Sequence, residues 1–555
     1  MPRAPPGPLR LTLETELRSL DPADAGDVTS RRIVSQIFDP LLEWAPSATD
    51  DDAPDILAPR ILKDHPRVSD DGLTWTLELR TDEQARRFAA DTCLKGQART
   101  IRASDIAASL LRITPGRHAA YALLAGRIVG LDAYHAGSDA RPGIVADDER
   151  HTVTLQLTRP QPELPALLAN PMLAIVPPEC VAYYDGSDAA HPPFARHPVG
   201  SGDYVLDHAR SELPRTVTLV ENLDAPARPG PPGCPRVPCE SPVVFSHFAD
   251  PEPALRSFQT GELAAIVPGQ AQFAEVVADP ASGALVPNAA PPGTRLRRFP
   301  TLSTTLLVFR MRDPDIGQHS DPVVDARHRA LRQAVALAFD AIRYHRVIRN
   351  DAWAVQRARV VPRTLGGDLD DVALHRFAPP AADLEQASRI LAAAGVSGPR
   401  TLRYWTETGE GERQEAAILR DALRPLDITL EVTHRTHYLH AVLGGTSDAQ
   451  LFSLRYDADY HDAASFLAPF TCAAPDNYSG FCDPAYDAAY AAFAVIPTGP
   501  ARDAAAAQLE RMLGEAVPVR PIDQPESWYL TQPWLRGVTR HPVAGLRVEL
   551  LTARR

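Results

Sequence analysis

A chain of 555 residues is long enough for three or four compact units at about 150 residues each. Its 70 acidic against 57 basic side chains leave a net charge of −13, which disfavours a nucleic-acid or anionic-membrane binder. The 44% apolar and 23% charged content excludes a disordered chain, and 54 prolines exclude a helical bundle in favour of a mixed α and β protein.

In chain order, LRLTLETELRSLDP from Leu9 reads as a short strand closed by a turn at Asp21-Pro22. Ser30 is the expected cap of the helix that follows, with Ile33, Val34, Ile37 and Leu41 on one face. The segments VSDDGLTWTLELR and HTVTLQLTRP alternate as half-buried strands, with Leu73, Trp75, Leu77 and Leu79 inward in the first. Between them ASDIAASLLRI is a helix, so this block forms a small α/β unit. The Pro/Gly-rich stretch 223–239 is an exposed loop. SPVVFSHF is a strand, and DPEPALRSFQTGELAAIV is a helix ending near Gly261. Asp325–Ile348 carries the strongest amphipathic stripe and is expected to be one helix. From 383 to 433 two helices alternate with two strands, which points to βα units and a largely parallel sheet. AQLFSLRYDADY adds a strand with a polar end, and ARDAAAAQLERMLGEA a last long helix.

No run of about 18 apolar residues encodes a transmembrane helix. Glu14, Glu16 and Arg18 interrupt any secretory core in the first 30 residues, which leaves an intracellular chain or an exported one whose leader is absent from the sequence. The six cysteines include two close pairs, Cys234/Cys239 and Cys472/Cys482, neither of which has zinc-ribbon or CxxC spacing. Disulfides are the preferred reading and two free thiols the alternative; a Cys472–Cys482 bridge would imply an oxidising compartment. No hydrolase, P-loop, zincin or dinucleotide motif is present. Two polar clusters stand out: YDADYHD, at the end of a strand, and HRTHYLH, with His434, His437 and His440 spaced by three.

Several blocks carry a family resemblance. They include SLDPADAGDVTSRRIVSQIFDPLLEW, DGLTWTLELR, ASDIAASLLRI, HPVGSGDYVL at 197–206, ALRSFQTGELAAI, DARHRALRQAVALAFDAIRYHRVI, YDADYHDAASFLAPF and NYSGFCDPAYDAAYAAF. In order and spacing over nearly the whole chain these resemble the family 5 bacterial extracellular solute-binding proteins, which serve oligopeptide, dipeptide and nickel ABC importers. The sequence departs from the family pattern at Asp203, where a turn proline is usual, and at Ala264, Arg310 and His461-Asp462-Ala463.

The resemblance implies an α/β, two-lobed, hinged periplasmic-binding-protein-like (class II) fold with an extra inserted α/β lobe. Lobe I is expected at 8–47, 181–292 and 517–555, inserted lobe II at 48–180 and lobe III at 293–516, with the ligand cleft between lobes I and III. It further implies a non-enzymatic, cofactor-free receptor that captures a peptide or similar small zwitterion and delivers it to an ABC permease. Such a receptor is a monomer, peripheral to the membrane in the periplasm or at the cell surface, and binds no nucleic acid. In peptide-binding members an acidic residue pairs with the ligand's α-ammonium; the matching position is Asp459, with Tyr456 where the family carries Trp. Asp457, Thr29, Ser30, Arg435 and Tyr438 complete the expected ligand-contacting set. Two rival readings are a cytoplasmic ligand sensor built on the same domain and a nickel or metal-chelate binder. Only the last would use His434 and His437 as metal ligands.

Overall fold

The structure is a computed structural model of the chain, and it describes all residues except 1–2, 46–55, 187–190, 231–233, 235, 351–358, 366–379 and 555. The lobe boundary expected at 47/48 and part of the 223–239 loop lie outside the described residues. The described chain divides into two compact units, one of residues 1–272, 285–299 and 528–555, the other of 273–284 and 300–527.

In the first unit, strand Leu9–Leu13 lies inside a seven-stranded sheet, parallel to Val243–His247 on one side and to Ala265–Ile266 on the other. Leu9, Leu11 and Leu13 alternate into the core at 3% exposure each, as their period of two dictates. Tyr204–Leu206 with Thr216–Glu221, Thr216–Glu221 with Val243–His247, and Ala265–Ile266 with Glu526–Thr531 pair antiparallel, so this sheet is mixed. The same unit holds a four-stranded antiparallel sheet in which Trp75 faces Leu155 and Leu77 faces Val153, the inward sets of the two alternating segments. Helix Ala103–Leu111 packs on this small sheet.

Helix Val28–Ile37 buries Ile33, Val34 and Ile37 completely. Its cap is Asp27, three residues before the expected Ser30: the Asp27 carboxylate accepts from the Ser30 N–H at 2.9 Å and from the Ser30 hydroxyl at 2.8 Å. A carboxylate at the cap outcompetes the hydroxyl because it also favours the positive helix terminus. The helix C-terminus explains the glycines of HPVGSGDYVL. Neither has a positive φ; instead a Cβ on Gly200 would overlap the Ile37 carbonyl and one on Gly202 the Gln36 carbonyl, while the Gly202 N–H donates to Ile37 at 2.7 Å. Gly200→Ala is therefore expected to destabilise this unit by about 1–3 kcal/mol through backbone displacement. Equilibrium urea unfolding checks this, and a variant as stable as the parent would contradict the close approach.

In the second unit the sheet order is Ile428–His434, Arg400–Thr406, Leu451–Asp457, Ser303–Phe309, Val519–Asp523. The first three strands are mutually parallel and the last two pairings antiparallel. Every residue of Ser303–Phe309 is buried, which marks it as a central strand. Strand Val519–Asp523 pairs with it, so residues 517–527, expected in lobe I, belong to this unit. The expected single helix 325–348 is two, Pro322–Ala338 and Ala341–Arg349. The break comes at Phe339, which is extended, and Asp340, whose carboxylate accepts from the Arg343 N–H at 2.9 Å and starts a second helix. In the sequence the apolar spacing runs on past the break to Ile342, so periodicity could not reveal it, but in the second helix Ile342 is exposed and Ala341 and Tyr344 are buried instead. Among the described residues no helix is long and apolar enough to cross a membrane.

Candidate functional site

Three parallel strands of the second unit end at one edge of the sheet, the edge where open α/β sheets place ligands. Thr406 and His434 close two of them in register, and the third runs on to Asp457. Glu407, Arg435, Asp457 and Asp459 follow at or just beyond these carboxyl ends.

Asp459 is half-buried, and its N–H donates to the Ser465 hydroxyl at 2.9 Å, which fixes the loop between strand Leu451–Asp457 and helix Ala464–Leu467. Asp457 accepts from the Ser303 hydroxyl and from Arg455 Nε at 3.3 Å, so its charge is engaged locally. Tyr456 packs edge-on against Phe466, with ring centroids 5.5 Å apart, and its hydroxyl donates to the Asp476 carboxylate at 3.1 Å. Burial foremost, with the charges of Asp459 and Asp476 added, holds the Tyr456 phenol well above its ordinary value. Burial also raises the Asp476 carboxyl. Tyr456 therefore stays a neutral donor next to two acids, an environment that favours cations. Behind it lies a cavity of about 340 Å³ whose lining includes Leu306, Val308, Leu454, Phe466, Phe470 and Tyr478.

Asp476 was not singled out from the sequence. Its signal was its position inside the loop tied by the Cys472–Cys482 disulfide, which is present and spans 10 residues. Asn477 braces the same loop by donating to the carbonyls of Thr471 at 3.0 Å and Phe481 at 2.7 Å. Asp462 does structural work: Arg502 binds it at 2.7 and 3.2 Å while also donating to the carbonyls of Phe493 and Ile496.

The other expected residues divide. Arg435 lies over the Trp405 ring at 5.5 Å from its centroid, on the same sheet edge as Asp459. Tyr438 is turned into the core, where its hydroxyl donates to the Ser453 carbonyl and its ring meets Phe452. Thr29 and Ser30 lie in the first unit and are buried; Thr29 Oγ1 is 2.8 Å from Thr15 Oγ1, and Ser30 Oγ accepts from the Ser19 N–H. HRTHYLH does not present its histidines on one helical face. His434 ends a strand, His437 has a left-handed backbone just before helix Tyr438–Leu443, and only His440 is helical. Among the described residues, neither His434 nor His437 gathers with two further ligating groups within metal-binding distance. All six cysteines are paired, with Cys93–Cys180 and Cys234–Cys239 as the other two disulfides.

Comparison with known proteins agrees with this architecture. The family described as bacterial extracellular solute-binding proteins, family 5 Middle, matches residues 57–478. The periplasmic murein peptide-binding protein MppA of Escherichia coli K12 is 29% identical over 158 residues, a match spanning 27% of this chain and 29% of that protein. Among solved structures, DppA of Helicobacter pylori in complex with the peptide STSA superposes with a TM-score of 0.75 at 18% identity, covering 99% of this chain and 98% of that one. The Escherichia coli murein tripeptide-binding protein MppA gives 0.72 at 20% identity, covering 99% and 98%. OppA of Haemophilus influenzae in complex with RPPGFSPFR gives 0.71 at 19%, covering 99% of each chain. These likenesses establish the periplasmic-binding-protein fold, and the family match over most of the length makes the chain a member of the bacterial extracellular solute-binding proteins, family 5.

Proposed function

We propose that this protein is the substrate-binding component of an ABC importer, which holds a peptide or similar small zwitterion by its α-ammonium on Asp459 and delivers it to a membrane permease. The observation that carries this reading is Asp459 itself: a half-buried carboxylate just beyond the carboxyl end of a central strand, beside a neutral Tyr456, in a family 5 fold. An ammonium paired there gains a charge-assisted bond. The protein is a carrier and performs no bond chemistry on its cargo. Six cysteines in three disulfides support an oxidising compartment, the periplasm or cell surface, over the cytoplasmic sensor. Relatives that bind peptides, among them the DppA and OppA complexes above, support the cargo class.

Asp459→Ala is the test. A panel of defined di- to pentapeptides at about 100 times Kd should stabilise the parent by about 2.7 kcal/mol, seen as a rise in melting temperature. The variant should show no rise, and N-acetylated peptides should not stabilise the parent. Equal stabilisation of variant and parent would remove Asp459 from the anchor role.

A further inference from the structure

Arg435, at the carboxyl edge of the second unit's sheet, is held at two points yet paired with no acid among the described residues. Its N–H donates to the Thr406 carbonyl at 2.9 Å, and its guanidinium lies over the Trp405 ring. That ring is buried, and its Nε1–H donates to Asp448 Oδ1 at 3.0 Å. The acids of the adjoining segments are engaged elsewhere. Both oxygens of Glu407 accept from the His437 N–H, at 3.0 and 3.2 Å, and Asp448 also faces Arg403 Nε at 3.5 Å. Stacking occupies the face of a guanidinium and leaves its in-plane N–H fork open, the geometry that grips a carboxylate with two bonds. Arg435 is exposed, so a partner from outside the chain can reach it.

The cation shares a sheet face with Tyr456. Trp405 is in register with Phe452, and Phe452, Leu454 and Tyr456 alternate onto one face, so Arg435 and the indole under it lie on that face too. Thr406 is in register with His434, and strands Arg400–Thr406 and Leu451–Asp457 are neighbours. At about 4.8 Å between strands and about 3.3 Å per residue, the strand ends at His434 and Asp457 are about 15 Å apart. An extended peptide with its ammonium at Asp459 covers such a distance in about four or five residues. The guanidinium is set back over Trp405, one residue inside its strand, so a backbone lying across the strand ends reaches it with a side chain and not with its terminus. We infer, on the peptide-carrier reading above, that Arg435 is a specificity residue, which favours cargo peptides bearing an acidic side chain at the third or fourth residue.

Calorimetric titration of the full-length protein tests this with penta-alanine analogues carrying Glu or Gln at the third or fourth residue, each with a free and an amidated C-terminus. At low ionic strength the Glu peptide of at least one position should bind about fivefold tighter than its Gln counterpart, the upper range for an exposed pair, and added salt should shrink the preference. The preference should persist in the amidated peptides. Arg435→Gln should remove it, and Arg435→Glu should turn it into a preference for Lys at the same position. Equal affinity for the Glu and Gln peptides, or a preference that survives in Arg435→Gln, would overturn the role and leave Arg435 as a cover for the indole. A preference for the free over the amidated terminus that Arg435→Gln removes would overturn it too, by giving the cation to the end of the peptide. N-acetylation reads the Asp459 anchor separately, since it deletes the ammonium and keeps the glutamate: an acetylated peptide that still binds with the Glu preference would remove the anchor and keep Arg435. Binding of no pentapeptide would overturn both.

Discussion

Asp39→Ala is expected to destabilise the first unit by about 3–5 kcal/mol, the range for removing one partner of a buried ion pair. Asp39 is 2% exposed and serves two guanidiniums and a hydroxyl: Oδ1 accepts from Arg60 Nε at 2.6 Å, and Oδ2 from Arg86 Nε at 2.6 Å and Ser201 Oγ at 2.8 Å. Removing the carboxylate leaves Arg60 and Arg86, 8% and 3% exposed, charged and short of acceptors. Asp203 completes the cluster, accepting from Arg60, Arg86 and Arg228. Burial alone would raise the Asp203 carboxyl, but Arg228, Arg60 and Arg86 override it and hold it far below the usual range.

The sign of the pH effect follows. A carboxylate whose folded value is depressed stabilises the protein above its ordinary value of 3.8, and that contribution is lost as pH falls below it. Urea unfolding of Asp39→Ala, Asp203→Ala and the double variant should show losses that do not add, because the two acids share the same guanidiniums. A loss under about 1 kcal/mol for Asp39→Ala would mean that water already screens the cluster.

Removing the Cys93–Cys180 disulfide as the double serine variant is the second large effect expected, about 4–5 kcal/mol, because the bridge closes a loop of 87 residues. It ties the short helical turn Thr92–Leu94 to helix Pro178–Tyr184 and encloses in sequence two of the small sheet's four strands, Ile144–Asp147 and Thr152–Gln156. Cys472–Cys482 spans only 10 residues, and its removal should cost about 2.5–3 kcal/mol. Denaturant unfolding of the two double variants gives the comparison. The ordering matters more than either value: an equal or reversed loss would show that unfolded-chain entropy is not what these bridges control.

These residues also show where reading the sequence stops. Asp203 was visible as an acid in a proline's place, yet its partners sit at 60, 86 and 228, and no local spacing links those positions. The close pairs Cys234/Cys239 and Cys472/Cys482 could be matched by proximity, whereas Cys93 and Cys180 could not. Asp459 was picked out by motif and lies two residues past strand Leu451–Asp457, but Asp476, which takes the Tyr456 hydroxyl, belongs to a different loop. Tyr438 shared the HRTHYLH block with Arg435 and faces the other way, because the backbone turns left-handed at His437 before the helix begins.

What the sequence settled by itself was whatever depends on neighbours a few residues away. Alternation placed Leu9–Leu13 and Thr74–Glu78 as strands, helical spacing placed Val28–Ile37, and ordered motifs over most of the chain declared the family. Tertiary structure decided the strand directions, the break at Phe339, the transfer of 517–527 to the second unit and the joint burial of Asp39, Arg60, Arg86 and Asp203. The division has a physical origin. Periodicity records which face of an element is apolar, while pairing direction and charge compensation are set by groups brought together from distant parts of the chain, whose separation carries no local trace.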